Sequence, residues 1–508
     1  MTKKEAGTQW LLLTAVFVIA TCGLIYELVA GTLASYLLGD SVTQFSTIIG
    51  VYLFSMGIGS FLSRYFDKGL LAWFIKIELL VGVIGGFSAA ILFITFPMAA
   101  SFRVILYSLV CITGILVGLE IPLLMRILEN KVAFKELVSR VFTFDYIGAL
   151  LASLIFPLLL VPHLGLIRTS LFFGILNILV GWYLASHFSK ELKQAAVLKF
   201  SAIVILLLEL VAFVFSETIM NYSETMNYND KVIYAVSTPY QRIVITRNKR
   251  ELRLFLNGNL QFSSADEYRY HEALVHPALS SVSQLKNVLV LGGGDGLAVR
   301  EILKYPSVEK ITLVDLDPAM TKIFSSQEVL KKINNNSLLS NKLSIYNEDA
   351  FLWLKNNRVL FDAVIVDFPD PSNFSIGKLY STSFYKLLKN CISENGIAVI
   401  QSTSPYVAPK SFWCIDTTIQ SVGLYTKAYH NLVPSFGEWG YIMAMPAKEH
   451  NWFAGVPANM KFINAGTLQQ MLTFPEDMKA HEPLRINKLN NQALVGYFEQ
   501  EWDKYQDL

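Results

Sequence analysis

The chain has 508 residues, of which 53% are hydrophobic and 16% charged, with a mean hydropathy of +0.43. That is too apolar for an ordinary soluble protein of this length, and a net charge of +2 gives no basis for nucleic-acid binding. The four cysteines (Cys22, Cys111, Cys391 and Cys414) lack disulfide-framework or zinc spacing and the seven histidines form no HExxH-like cluster, so neither a metal nor any other cofactor is expected.

The apolar excess lies before about residue 216. A bilayer crossing needs roughly 20 apolar residues. Seven stretches qualify: 10–38, 42–63, 71–96, 102–125, 142–161, 164–186 and 198–215. Trp10 leads straight into a long apolar run with no A-x-A-like site, which reads as a membrane anchor and not a cleaved signal. Residues 1–216 are therefore expected to form a multi-pass helical domain in the cell membrane, with the lipid bilayer as a partner.

Basic residues set the orientation. With the N-terminus inside, inner segments hold Lys3, Lys4, Arg64, Lys68, Arg126, Lys131, Lys135, Arg140, Lys190, Lys193 and Lys199, and outer loops hold only Arg103 and Arg168. Seven crossings would put the C-terminal half outside. Either one segment does not span, or the catalytic domain faces outward, or the donor of its reaction reaches it some other way; because that donor is made in the cytosol, a cytoplasmic catalytic domain is the expectation. Glu27, Lys76, Glu78, Glu120, Asp145 and Glu209 interrupt the apolar stretches. Charges at such depth are costly and mark either interhelical pairing or a site for a cationic amine.

Residues 217–285 change character. Val232–Val236, Arg242–Thr246, Leu252–Leu256 and Asn259–Phe262 read as short strands, with Asn248-Lys249 and Asn257-Gly258 as turns. They predict a small antiparallel β-unit, followed by a helix opening near Asp266. From residue 286 strands and helices alternate, which predicts a doubly wound, Rossmann-like α/β domain over 286–508. Its tail, about 446–508, is amphipathic and helical, broken by Pro457, Pro475 and Pro483.

Four apolar runs in this domain end in carboxylates. Val288–Leu291 enters Gly292-Gly293-Gly294-Asp295-Gly296; Ile311–Val314 ends at Asp315; Leu343–Tyr346 precedes Asp349-Ala350; Ala363–Val366 ends at Asp367, with Asp370 close behind. Ligands of open parallel sheets bind outside the carboxyl ends of the strands. Gly292 and Gly294 let the backbone turn and approach a ligand, and Asp315 is placed to hold ribose hydroxyls. The GxGxG spacing favours an adenosyl sulfonium over a dinucleotide. Asp295 inside the turn would repel a phosphate and attract a cation. Asp349-Ala350 is placed to meet an adenine amino group, and an N-cap role for Asp349 is compatible with that. In Asp367-Phe368-Pro369-Asp370-Pro371 two acids are held by prolines. An aliphatic amine is mostly protonated at neutral pH, so alkyl transfer to it needs a proton acceptor, and Asp367 is the candidate. Asp370 and Asp295 would bind remaining ammonium groups.

These motifs resemble those of the spermidine synthases, the polyamine aminopropyltransferases. The stretches that match are Tyr240-Gln241, LNGNLQFSSADEYRYHEALVHPAL from Leu256, VLVLGGGDGLAVREILKYPSVEKITLVDLD, Asp349-Ala350, DFPDP and Gly437-Glu438-Trp439-Gly440, spanning about residues 225–445. The hydrophobic first half resembles the membrane-embedded branch of that family. The resemblance implies transfer of an aminopropyl group from decarboxylated S-adenosylmethionine to putrescine, giving spermidine and methylthioadenosine. Carried over by position, Gln241, Gly292, Gly294, Asp315, Asp349 and Ala350 would meet the donor. Tyr270, His271, Asp295, Asp367 and Asp370 would form the amine site, with Asp367 accepting the proton. Soluble relatives often form dimers or tetramers, so self-association is a further expectation. Asn257, Phe368-Pro369 and Ser372-Asn373 depart from the family pattern. Two other functions fit the same fold: a membrane-bound S-adenosylmethionine methyltransferase, and a polyamine transporter or sensor whose enzyme-like domain only binds.

Overall fold

The computed structural model describes residues 3–38, 41–96, 102–129, 134–228, 230–249, 251–447, 457 and 459–506. Lys131 of the basic set and residues 448–456 of the tail lie outside the described residues. The chain divides into two compact units, Met1–Val232 and Ile233–Leu508. The first thus runs past residue 216, because helix follows helix almost to the first strand.

The first unit contains α1 (Lys3–Leu38), α2 (Ser41–Leu62), α3 (Leu70–Thr95), α4 (Phe102–Leu128), α5 (Phe134–Ile155), α6 (Val161–His187), α7 (Ala195–Val214) and α8 (Ser216–Asn227). Six segments among the described residues are long and apolar enough to cross a membrane. One of them, Lys135–His187, is 53 residues long and joins two stretches that the hydropathy pattern separates. A π-helical turn over Phe156–Leu160 links α5 to α6, and Gly165 is non-helical (φ 72°, ψ 176°). A straight helix of that length would measure about 80 Å, and the break divides it into two shorter helices. Glu78, Glu120 and Glu209 are buried, whereas Glu27 and Asp145 are partly exposed and Lys76 places its ammonium over Trp73.

The second unit opens with an antiparallel sheet of β1 (Lys231–Ser237), β2 (Arg242–Arg247), β3 (Leu252–Leu256) and β4 (Asn259–Ser263). Asn257 adopts a left-handed conformation (φ 50°) beside Gly258, and its Oδ1 accepts from the Arg242 amide at 2.8 Å. An aspartate in the same place would keep that acceptor, so this departure from the family pattern leaves the hairpin intact.

Helix α9 (Glu267–Leu279) leads to β5 (Asn287–Gly292), α10 (Leu297–Ile302), β6 (Lys310–Val314), α11 (Pro318–Ser326), α12 (Glu328–Ile333), β7 (Leu343–Tyr346), α13 (Ala350–Asn356) and β8 (Phe361–Asp367). Then come α14 (Phe374–Gly377), α15 (Thr382–Lys389), β9 (Ile392–Gln401), α16 (Pro409–Gln420), β10 (Tyr425–Val433), β11 (Gly437–Met445), α17 (Ala465–Met471) and α18 (Ala493–Gln506). The large sheet has the order β10-β11-β9-β8-β5-β6-β7. Five strands are parallel, but β11 runs antiparallel to β9 and β10 antiparallel to β11. The domain is therefore Rossmann-like and of methyltransferase type with a mixed edge, where uniform strand–helix alternation predicted none. β10 and β11 meet through the short Pro434–Phe436 turn, which leaves no helix to carry the chain back for a parallel strand.

Val288 and Val290 point into one apolar core of the unit and Leu289 and Leu291 into the other, so β5 is buried on both faces. The chain goes from β5 to β6 on one side and returns to β8 on the other. This reversal opens a crevice at the carboxyl end of β5.

Candidate active site

Gly292 pairs with Asp367 across β5 and β8, and a methyl group on Gly292 (φ 81°) would collide with the Asp367 carbonyl. Only glycine lets the two strand ends approach this closely. Gly294 is similarly constrained: its amide donates to Asp315 Oδ2 at 2.9 Å, and a methyl there would lie 2.7 Å from the Asp315 carboxyl carbon. The glycine turn thus presses against two of the carboxylates singled out from sequence.

Asp367 accepts a 2.6 Å hydrogen bond from the Tyr270 hydroxyl. Burial pushes its carboxyl up to about 6, with the His271 ring opposing and Asp295 adding to the rise. Asp295 is 9% exposed, and its Oδ1 accepts from the Leu297 amide at 2.9 Å; burial raises this carboxyl too. Asp315 accepts from the amides of Gly294 and Asp317 and is pushed up to about 6, chiefly by burial. Asp295 is within electrostatic reach of both Asp315 and Asp367, so these three acids share one region.

His271 is 2% exposed. Its Nδ1 faces the Glu267 carbonyl at 2.8 Å and the Glu267 carboxylate at 3.0 Å. Burial works against a charged ring, but Glu267 outweighs it and holds the imidazole above its ordinary value. Glu267 also takes both Arg300 guanidinium nitrogens at 2.8 Å. Burial opposes its ionisation, yet His271 and Arg300 bring it down to about 2. The sequence motif gave His271 as an amine contact. The structure makes it a ring fixed from behind, with Asp295 and Asp367 within electrostatic reach.

Asp370 lies in the same loop. Its Oδ1 accepts from Gln401 Nε2 at 3.0 Å and its Oδ2 from Thr403 Oγ1 at 3.2 Å. Burial pushes it up to about 6 against these two bonds. Gln401 also donates to the Phe368 carbonyl at 2.8 Å and accepts from the Thr403 amide at 2.8 Å, while the Tyr380 hydroxyl donates to the Pro369 carbonyl at 3.1 Å. Phe368 is buried against Phe384, their ring centres 5.6 Å apart. The Phe368-Pro369 departure therefore becomes an apolar anchor that pins the loop between the two acids. Asn373 caps α14 through the Ile376 amide at 3.0 Å, so the Ser372-Asn373 departure leads into a helix.

The remaining donor candidates are held differently. Gln241 Nε2 donates to Asp317 Oδ2 at 3.0 Å, and Thr238 reaches the same oxygen at 2.8 Å. Asp317 also caps α11 through the Ala319 amide. It was missed from sequence because an Asp-Pro pair at a helix start reads as a cap and nothing more. Asp349 caps α13 through the Phe351 and Leu352 amides and pairs with Lys378 Nζ at 2.8 Å. Burial opposes its ionisation, but Lys378 and the amides hold it below the usual carboxylate range. Ala350 is buried behind it. Asp349 is thus on the same rim but tied to Lys378, apart from the Asp295–Asp315–Asp367 group.

This arrangement offers carboxylates to a cation, and its largely buried Arg300 guanidinium is taken up by Glu267 and Glu301. No group of three or more His, Cys, Asp or Glu suited to a metal occurs among the described residues. If Asp367 accepts a proton, kcat/KM must fall as pH drops through about 6, where that carboxylate takes up its own proton. The sign follows from its raised value: an ordinary aspartate would keep activity down to about pH 4. A rate profile between pH 4.5 and 8 checks this, within ~1 unit.

Residues 267–454 match a family model described as the spermine/spermidine synthase domain. A polyamine aminopropyltransferase of Leptospira interrogans is 53% identical over 98% of this chain and 100% of its own length. Polyamine aminopropyltransferase 2 of Ralstonia nicotianae is 53% identical over 97% of this chain and 98% of its own. The crystal structure of spermidine synthase from Thermotoga maritima aligns at 24% identity with a TM-score of 0.43, covering 48% of this chain and 84% of that one.

Proposed function

The chain belongs to the polyamine aminopropyltransferases, and from that premise we propose that it moves the aminopropyl group of decarboxylated S-adenosylmethionine onto putrescine, with Asp367 as the proton acceptor. The nitrogen lone pair of the amine attacks the carbon beside the sulfonium. A C–N bond forms, the C–S bond breaks, and its electron pair stays on sulfur as neutral methylthioadenosine. The surplus proton leaves nitrogen for Asp367. The leaving group carries its own activation, so the protein's task is alignment and deprotonation. The observation that supports this most is the Tyr270–Asp367 bond at 2.6 Å beside Asp295. Tyr270 fixes the acceptor oxygen, and Asp295 and Asp370 remain for the ammonium at the far end of a diamine.

Gln241, Asp315, Asp349 and Ala350, with the turn at Gly292 and Gly294, would hold the donor. Asp295 would repel the carboxylate of ordinary S-adenosylmethionine, so donor choice rests partly on exclusion. The test is product analysis of full-length protein supplied with each donor and a series of diamines. Spermidine and methylthioadenosine from putrescine are expected. Methyl transfer without aminopropyl transfer, or binding with no turnover, overturns the reading.

We further propose that the first unit is embedded in the cell membrane. Leu53, Phe54, Leu158, Phe200, Leu208 and Val214 are all more than half exposed. Segments Thr43–Tyr65 and Ala195–Val214, with hydropathies of 1.7 and 2.5, are only 22% buried, an apolar surface that lipid would cover. Orientation turns on whether six or seven segments cross. Six crossings put the catalytic unit on the cytoplasmic side with the N-terminus, where the donor is made. A C-terminal green fluorescent protein fusion should then fluoresce and an alkaline phosphatase fusion should be inactive; the reverse pattern places the unit outside.

A further inference from the structure

The most conspicuous unexplained chemistry lies inside the helical unit. Glu78 on α3 and Glu209 on α7 are 0% exposed, and Glu120 on α4 is 2% exposed. All four carboxyl oxygens of Glu78 and Glu209, and Oε1 of Glu120, are buried without a hydrogen-bond partner. Asn177 on α6 is 0% exposed with both side-chain polar atoms unpartnered, and the Tyr26 hydroxyl on α1 is unpartnered as well. Buried polar groups are almost always satisfied, and this many exceptions in one bundle need a cause.

The groups lie along one seam. Glu209 sits in a notch made by glycines: a methyl on Gly86 of α3 would collide with its Oε1, and one on Gly174 of α6 would come within 2.6 Å of both oxygens. Glu78 lies one helical face along α3, eight residues and about 12 Å from Gly86. Further along α6, a methyl on Gly181 would lie 3.1 Å from Leu79 Cδ2 and 3.5 Å from Glu78 Cβ, which places Glu78 against the same helix. Asn177 stands between Gly174 and Gly181 on that helix. Glu120 is within electrostatic reach of Glu78, and Tyr26 of both Glu120 and Glu209. Ionised, these acids have no counter-cation among the described residues; protonated, they donate to nothing. The cavity lined by Tyr26, Tyr52, Ser88 and Thr113 holds about 10 Å³, so any larger occupant of this bundle must part the helices.

We infer that Glu78, Glu120 and Glu209 form a second binding site, inside the helical unit, for a linear polyamine of the kind the catalytic unit handles. A molecule with ammonium groups separated by methylene chains supplies a donor to each acid and apolar length to the glycine-lined wall between them. Its entry requires α3 and α6 to part along their glycines. The choice of ligand rests on the aminopropyltransferase reading; the unsatisfied site does not.

The experiment is equilibrium dialysis of labelled spermidine against full-length protein in detergent, with Asp295→Asn, Asp367→Asn and Asp370→Asn present to remove amine binding at the catalytic site. Saturable binding should persist in that background. Glu209→Gln and Glu78→Gln should each weaken it about tenfold or more, as loss of a buried charge partner does. In an otherwise wild-type chain, Glu209→Gln should leave the aminopropyl transfer rate unchanged. Spermidine should also raise the melting temperature of the background protein and not that of its Glu209→Gln form, which covers the case of a variant that folds poorly. Absence of saturable binding in the background protein, or undiminished affinity in the Glu78→Gln, Glu120→Gln and Glu209→Gln forms alike, overturns the inference. Spermidine binding without any transferase activity would instead sink the functional reading and leave this site standing.

Discussion

Asp367→Asn should lower kcat/KM for the amine by about 10²- to 10⁴-fold, the usual contribution of a positioned proton acceptor. Asparagine keeps the size of the side chain and can still accept from the Tyr270 hydroxyl, so the pocket should stay assembled. What it cannot do is take a proton from nitrogen. Binding of the adenosyl donor should change little, because Asp315 and the Gly294 turn are untouched. Steady-state kinetics with saturating donor and varied putrescine measure the effect. Turnover within a few-fold of wild type would mean that bulk water or another carboxylate removes the proton. Asp370 is the natural second suspect, since burial brings it too up to about 6.

Arg300→Ala should have the largest effect on stability. Arg300 donates to both oxygens of Glu267 at 2.8 Å and through Nε to Glu301 Oε1 at 2.8 Å. Glu301 is 1% exposed and also meets His276 Nε2 at 2.9 Å and Lys304 at 2.5 Å. Removing the guanidinium leaves Glu267 buried with only His271 beside it. Stripping one partner from a buried pair costs about 3–5 kcal/mol, because the other charge is left uncompensated. For a unit of this size that is a fall in melting temperature on the order of 10 °C. Arg300→Lys should recover only part of it, since a single ammonium cannot bridge two oxygens of Glu267 and one of Glu301. Activity should fall beyond the loss of folded protein, because Glu267 holds His271 in place. A calorimetric shift under 2 °C would show that water replaces the guanidinium, contrary to ~3 kcal/mol or more.

The strands that build the site's floor were readable because β5, β6 and β8 are short apolar runs ending abruptly in glycine or aspartate. The antiparallel unit was readable because Asn257-Gly258 is a strong turn signal between alternating residues. β9 to β11 were not resolved beyond their motifs. Their polarity in the sheet depends on a three-residue connection whose meaning appears only once β9 is known to be its neighbour. The rim acids were legible one by one as carboxylates at strand ends. Their supports were not. Gln401 and Thr403 reach Asp370 across more than 30 residues because β9 lies beside β8. Arg300 reaches Glu267 from another helix, and Lys378 reaches Asp349 from the loop after the second acid. Such pairings follow from strand order and helix packing, which no local spacing encodes. The acids of the first half were equally visible as charges in apolar helices, but pattern alone could not separate paired groups from those left without a partner.

In the proposed reaction Asp367 receives the proton, but Asp315, Asp367 and Asp370 all titrate near about 6, so a wild-type profile alone does not assign the acid limb. The decisive measurement is the pH dependence of single-turnover aminopropyl transfer in Asp367→Asn beside wild type. Wild type should lose rate as pH falls through about 6. The variant should show a low rate with no such limb over the same range. A variant whose slow turnover keeps the wild-type acid limb would assign that titration to Asp315 or Asp370 and contradict the mechanism.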